Sequence, residues 1–219
     1  MRNNATIVSD RSYLARLIQQ GEHQQQDFKY KVQDARKLAR SVSAFANTDG
    51  GRLLIGVRDD GHLSGVRSEE EIYMMHQAAF KYCQPNASIK FDTYNVYGRT
   101  IVVCTVSPSD RKPVFAIDYD DKPKAYIRIA DENIVASPVH LAVWREESSP
   151  KGRIMEYSDN EHKLMDTLKR QQWQTLNQIV RRSGLNRRRA VSIIAQLVRF
   201  RLVRWRFHDQ CFAFGLSGE

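Results

Sequence analysis

The sequence has no apolar run approaching the ~20 residues that a membrane-spanning helix needs, which excludes such a span. Its first residues, Met1-Arg2-Asn3-Asn4-Ala5, lack the apolar core of a secretory signal. Cysteine is scarce: Cys83, Cys104 and Cys211 are scattered and form no CxxC pair. That pattern fits buried thiols in a reducing compartment and argues against a disulfide framework or a zinc site. The cytoplasm is therefore the expected location. The histidines His23, His62, His76, His140, His162 and His208 show no ligand spacing. No local Ser-His-Asp or Cys-His arrangement supports nucleophilic hydrolysis. A Gly-x-x-x-x-Gly-Lys-Ser/Thr loop is also missing, hence the lysine and hydroxyl that hold phosphates and magnesium in such loops. Internal repeats and low-complexity stretches are absent.

What is present is an ordinary globular composition, 42% hydrophobic and 27% charged over 219 residues, enough for one large or two modest domains. The net charge of +9 is unevenly placed. Residues 151–219 hold 14 Lys/Arg against 6 Asp/Glu, whereas residues 1–150 hold 20 against 19. Arginine supplies 11 of those 14 cations, and arginine suits bidentate contact with phosphate and guanine. A polyanion is the expected partner of the second part.

Along the first part, residues 9–20 read as a helix with Tyr13, Leu14, Leu17 and Ile18 as its apolar stripe, ended by Gly21. Asp27 to Val32 alternates as a half-exposed strand. Asp34 caps a helix whose Ala35, Leu38, Ala39, Val42 and Phe45 recur at core spacing. Leu53 to Val57 reads as a buried strand, Asp59-Asp60-Gly61 as a turn, and His62 to Val66 as a short strand. A helix over 69–82 precedes strands at 88–94 and 99–106 and a hairpin at 114–119 and 124–129. A closing helix is expected at 137–145. The fold class is thus α+β with a mixed sheet, over residues 1–147.

Ser148-Ser149-Pro150-Lys151-Gly152 is the best linker, placed at 148–156. Residues 157–219 read as three helices and a β-ribbon, with Ser158 and Thr175 as caps and Gly184-Leu185-Asn186 as a tight turn. That order resembles a winged helix-turn-helix. In such a domain the third helix leads into the major groove with its N-terminal end, here Arg187-Arg188-Arg189. Arg188, Ser192, Gln196 and Arg199 share a face away from the apolar stripe, and Arg204 and Arg206 lie on the wing, where they reach phosphates.

The stretch Gly21 to Gly65 carries a more specific pattern. Glu22 precedes Asp27-Phe28-Lys29 by five residues. Ala44-Phe45-Ala46-Asn47-Thr48-Asp49-Gly50-Gly51 follows, then Ile55-Gly56-Val57-Arg58-Asp59. Later come Lys112-Pro113, Tyr126-Ile127-Arg128 and Ala136. Together these resemble the divergent AlbA-like domain of bacterial regulators and Schlafen proteins, over roughly residues 8–145. The resemblance implies an AlbA-like domain joined to a winged helix. It also implies nucleic-acid binding, with DNA-binding transcriptional regulation as the leading role and DNA or RNA as the partner. Pairing of two copies would set two winged helices on one duplex, so a homodimer is expected. In the ribonuclease-active members three carboxylates hold divalent ions, and the matching residues here are Glu22, Asp27 and Asp59. A metal-dependent endoribonuclease using Mg²⁺ or Mn²⁺ at that cluster is therefore the first alternative, although Asp27 stands where Glu is usual. A protein-interaction module is the second. Lys29, Lys31 and Arg52, beside the same elements, would supply backbone contacts in either nucleic-acid role. Asn47 and Thr48 are expected to shape the helix end and its turn.

Overall fold

The computed structural model describes residues 4–66, 68–148 and 157–218. These form seven helices and eleven strands in three sheets. The chain divides into two compact units between Val135 and Ala136.

In the first unit, α1 (Asn4–Gln19) leads to β1 (Gln26–Lys29), α2 (Ala35–Asn47) and β2 (Gly51–Ile55). β1 and β2 are parallel, so α2 is the crossover between them. β4 (Ile89–Val96) and β5 (Arg99–Val106) complete a mixed sheet of order β1-β2-β5-β4. A second sheet, β3-β6-β7-β8, comprises Cys83–Gln84, Phe115–Ile117, Pro123–Ile129 and Glu132–Val135. Between them runs α3 (Glu69–Phe80) in sequence.

The centre of this unit is α2. Asp34 caps it, accepting from the N–H groups of Arg36 and Lys37. Its apolar residues pack with Leu53, Ile55, Val102 and Cys104 of the first sheet and Ala116 and Tyr126 of the second. Because cover comes from both sheets and α3, Ser41, Ser43 and Asn47 are buried as well, and the helix is enclosed almost all round. A smaller core on the other face of the first sheet joins Leu14 and Leu17 of α1 to Phe28, Leu54, Ile101 and Val103. β1 does not alternate with solvent: Gln26, Asp27 and Phe28 are all buried, since α1 and the second sheet cover the strand. The expected strand at 62–66 is reduced to one bridge, Leu63 to Val57.

The second unit contains α4 (Pro138–Glu147), α5 (Asp159–Lys169), α6 (Leu176–Ser183) and α7 (Arg187–Arg199). A three-stranded sheet of order β10-β11-β9 joins Val203–His208, Cys211–Leu216 and Gln174–Thr175. Val139 of α4 sits in the same core as Leu164, Ile179, Ile194, Leu197 and Phe214, so this helix packs with the second unit although its sequence adjoins the first. Of the expected 148–156 linker, Ser148 caps the end of α4 and 149–156 lie outside the described residues. Two capping boxes start α5 and α6, Ser158 with Glu161 and Thr175 with Gln178. Gly184, left-handed at φ 68°, ends α6 and allows the two-residue approach to Asn186, the cap of α7. Among the described residues no helix is long and apolar enough to cross a membrane.

Candidate nucleic-acid interface and the acidic pair

Glu22 lies just past α1, and its Oε1 accepts from the Phe28 N–H at 2.8 Å, which folds the 22–26 turn back onto β1. That contact brings its carboxyl group into hydrogen bonding with Asp27. Burial, and then the Asp27 partner, raise the Glu22 carboxyl above its usual range. Burial pushes Asp27 up too, but Glu22, Lys29 and Arg128 outweigh it and hold that carboxylate low. Within the pair Glu22 is thus the weaker acid.

Asp27 is 4% exposed. Lys29 Nζ stands 2.7 Å from it, and the Arg128 guanidinium 3.6 Å. Arg128 is itself buried, and a buried cation needs partners. It donates to the Gln26 carbonyl at 3.2 Å and to Asn133 Oδ1 at 3.0 Å, and it lies over the Phe45 ring at 5.2 Å. Asn133 in turn donates to Ser41 at 2.9 Å, and Gln24 holds both the Arg128 carbonyl and the Ala130 N–H. One polar network thus ties β1, α2 and the β7–β8 hairpin.

Asp59 does not join it. It is exposed on the turn after β2, and among the described residues no three His, Cys, Asp or Glu side chains are grouped to hold a metal ion. Of the three expected carboxylates, Glu22 and Asp27 are brought together and Asp59 lies on the exposed turn. Glu22 is half-buried, and Asp27 is already paired with two cations.

The Asn47–Gly51 segment is a clamp. Asn47 donates from Nδ2 to the carbonyls of Val114 (2.8 Å) and Tyr126 (2.9 Å) and accepts the Val114 N–H at 2.7 Å. Thr48 accepts the Arg128 N–H at 3.0 Å. A Cβ at Gly51 would lie 2.4 Å from the Phe45 ring, so only glycine lets β2 start against α2.

Beside the network opens a cleft of about 700 Å³, lined among others by Lys29, Lys31, Lys37, Arg40, Ser41 and Asn133. Two of the expected backbone contacts, Lys29 and Lys31, share it. Arg52 lies apart, in a groove with Gln25 and Asp49, and donates to Gln20 at 3.3 Å.

In the second unit the three arginines opening α7 have different surroundings. Arg189 pairs with the buried Glu161 at 3.1 Å and so ties α7 to α5. Arg187 donates to Asn177 at 2.6 Å. Arg188 is exposed, and Ser192, Gln196 and Arg199 follow it at 4-, 8- and 11-residue offsets, each half-buried. On β10, Arg204 and Arg206 lie over the Trp173 ring at 5.2 and 4.5 Å. Sequence reasoning missed Trp173, Arg128, Asn133 and Glu161 as partners. Glu161 carried a signal, three residues after its Ser158 cap, and Arg128 stood in the family motif without a partner assigned to it.

Residues 22–137 match the family model described as Schlafen, AlbA_2, and the chain belongs to that family. No curated protein matches the chain. Among solved structures, the DIP2311 protein of Corynebacterium diphtheriae is 21% identical over 67% of this chain, with a TM-score of 0.45. This chain covers 34% of that one. The N-terminal domain of a RecG-related protein of Nitrosomonas europaea is 20% identical over 72% of this chain and 97% of its own, with a TM-score of 0.41.

Proposed function

We propose that the protein binds duplex DNA as a transcriptional regulator, and that its second unit acts as a winged helix-turn-helix. The observation that carries this reading is α7. A capped helix of 13 residues opens with exposed arginine, follows α6 after a glycine turn, and precedes a two-stranded ribbon bearing two more arginines. In this reading α7 enters the major groove, Arg188 with Ser192, Gln196 and Arg199 faces base edges and phosphates, and β10–β11 is the wing. Arg187 flanks the same end, while Arg189 chiefly braces the helix.

The AlbA-like unit adds backbone contacts through Lys29 and Lys31 in the cleft, with Arg52 on a separate groove. Pairing of two copies places two winged helices on one duplex, and a monomer by light scattering at micromolar concentration contradicts that geometry. Arg188→Ala should weaken duplex binding by about 1–3 kcal/mol. Unchanged affinity at moderate salt would remove α7 from the interface. Incubation of the protein with labelled tRNA, with Mn²⁺ or EDTA, bears on cleavage: metal-dependent RNA breakage lost in Asp59→Ala would replace this reading with an endoribonuclease.

A further inference from the structure

Arg204 and Arg206 alternate on β10 and therefore share one face of the ribbon. The other face is occupied: Val203 is buried, and Trp205 packs against His140 and Phe212 at 4.7 and 5.8 Å between ring centres. The loop at 170–173 lies against the arginine face, and Arg204 and Arg206 stay exposed. Gly215 stands opposite Arg204 in register, and a Cβ there would meet the Gln172 carbonyl oxygen at 2.2 Å and the Trp173 ring at 3.2 Å. The loop thus rests directly on the ribbon, with Trp173 beneath both guanidinium groups. A third arginine reaches the same loop from α6: Arg182 donates to Gln171 at 2.6 Å and to Gln174 at 2.8 Å.

We propose that this loop is a scaffold that fixes Arg182, Arg204 and Arg206 as one binding patch for the phosphodiester backbone, with Trp173 the residue that positions the two wing arginines. The inference rests on the DNA-binding reading above and deepens it. A guanidinium over an aromatic ring keeps its charge and its planar fork of N–H donors, the group that suits a phosphate. Holding two such groups on one rigid ring removes much of the rotamer freedom that binding would otherwise have to freeze.

The test is anisotropy with a short labelled duplex over a range of salt, using the full chain and the variants Trp173→Ala, Trp173→Phe and Arg204→Ala/Arg206→Ala. Removing both arginines should weaken binding and reduce the slope of log K against log salt by about 1.8. Trp173→Ala should lower affinity about 5-fold while keeping most of that slope, because the charges remain and only their placement is lost. Trp173→Phe should recover most of the affinity. In the arginine-free background Trp173→Ala should have no further effect.

Affinity of Trp173→Ala within twofold of the parent overturns the proposal, as does an equal loss with and without the arginines, which would mark a general folding defect. A parent protein that binds no duplex overturns the DNA-binding reading and this inference with it. Parent binding with a neutral Trp173→Ala overturns the inference alone.

Discussion

Replacing Asn47 by alanine removes a side chain that makes three buried hydrogen bonds at 2.7–2.9 Å. The Val114 carbonyl keeps Ser43 as a donor at 2.7 Å, so it is not orphaned. The Val114 N–H and the Tyr126 carbonyl lose the Asn47 partner inside a core where water does not replace it. At about 1–3 kcal/mol for each orphaned group, the variant should lose about 4 kcal/mol. That is a large fraction of a domain's stability. Urea unfolding followed by far-UV circular dichroism reads the change. Tryptophan fluorescence supplies the contrast, because Trp144, Trp173 and Trp205 all lie in the second unit. The dichroism transition should move to lower urea while the fluorescence transition stays. A loss below about 1 kcal/mol would refute the reasoning, since it would mean the Asn47 contacts do not hold α2 to the second sheet.

Asp27→Asn removes the anion between Lys29 and the buried Arg128, and should cost about 3 kcal/mol at neutral pH in the same unfolding assay. Asp27 titrates below its ordinary range in the fold, so its contribution is present above about pH 4 and is lost as pH falls. The cost of the substitution should therefore shrink toward pH 3. His140 gives the second pH dependence. Burial lowers it to about 4, so the unfolded chain binds the extra proton between about pH 6.5 and 4. Stability of the second unit should fall by about 3 kcal/mol across that window on acidification. His140→Gln keeps a side chain able to complete the Ser137 capping box, and should flatten the profile. Arg189→Ala leaves Glu161 without its cation and should lower the fluorescence-detected stability by about 1 kcal/mol, with less effect on duplex affinity than Arg188→Ala.

Periodicity made α2 and α7 readable, and caps made the starts of α2, α5 and α6 readable, because Asp34, Ser158 and Thr175 act on N–H groups only two or three residues away. Local alternation misled at β1. Asp27 beside Phe28 and Lys29 reads as a strand with one wet face, whereas its burial depends on Arg128, a hundred residues later. A charged residue such as Arg128 reads as exposed until its partners are placed around it. α4 shows the same limit at the scale of a domain. Its sequence identifies a helix over 137–145 with Pro138 in the first turn, but nothing local says that Val139 belongs with Ile194 rather than with the preceding sheet. β9 is only two residues long and leaves no periodic trace. The acidic positions were legible as a motif. That Glu22 joins Asp27 while Asp59 stays on an exposed turn was not, because the approach of Glu22 rests on its bond to the Phe28 N–H.

The most direct test of the account is equilibrium binding of the parent protein and Arg188→Ala to duplex DNA across a salt series, with EDTA present throughout. The account predicts retention of duplex by the parent that weakens steeply with salt, and an affinity about tenfold or more lower for the variant. Duplex binding that is absent, or that is present with no difference between the two proteins, would contradict it.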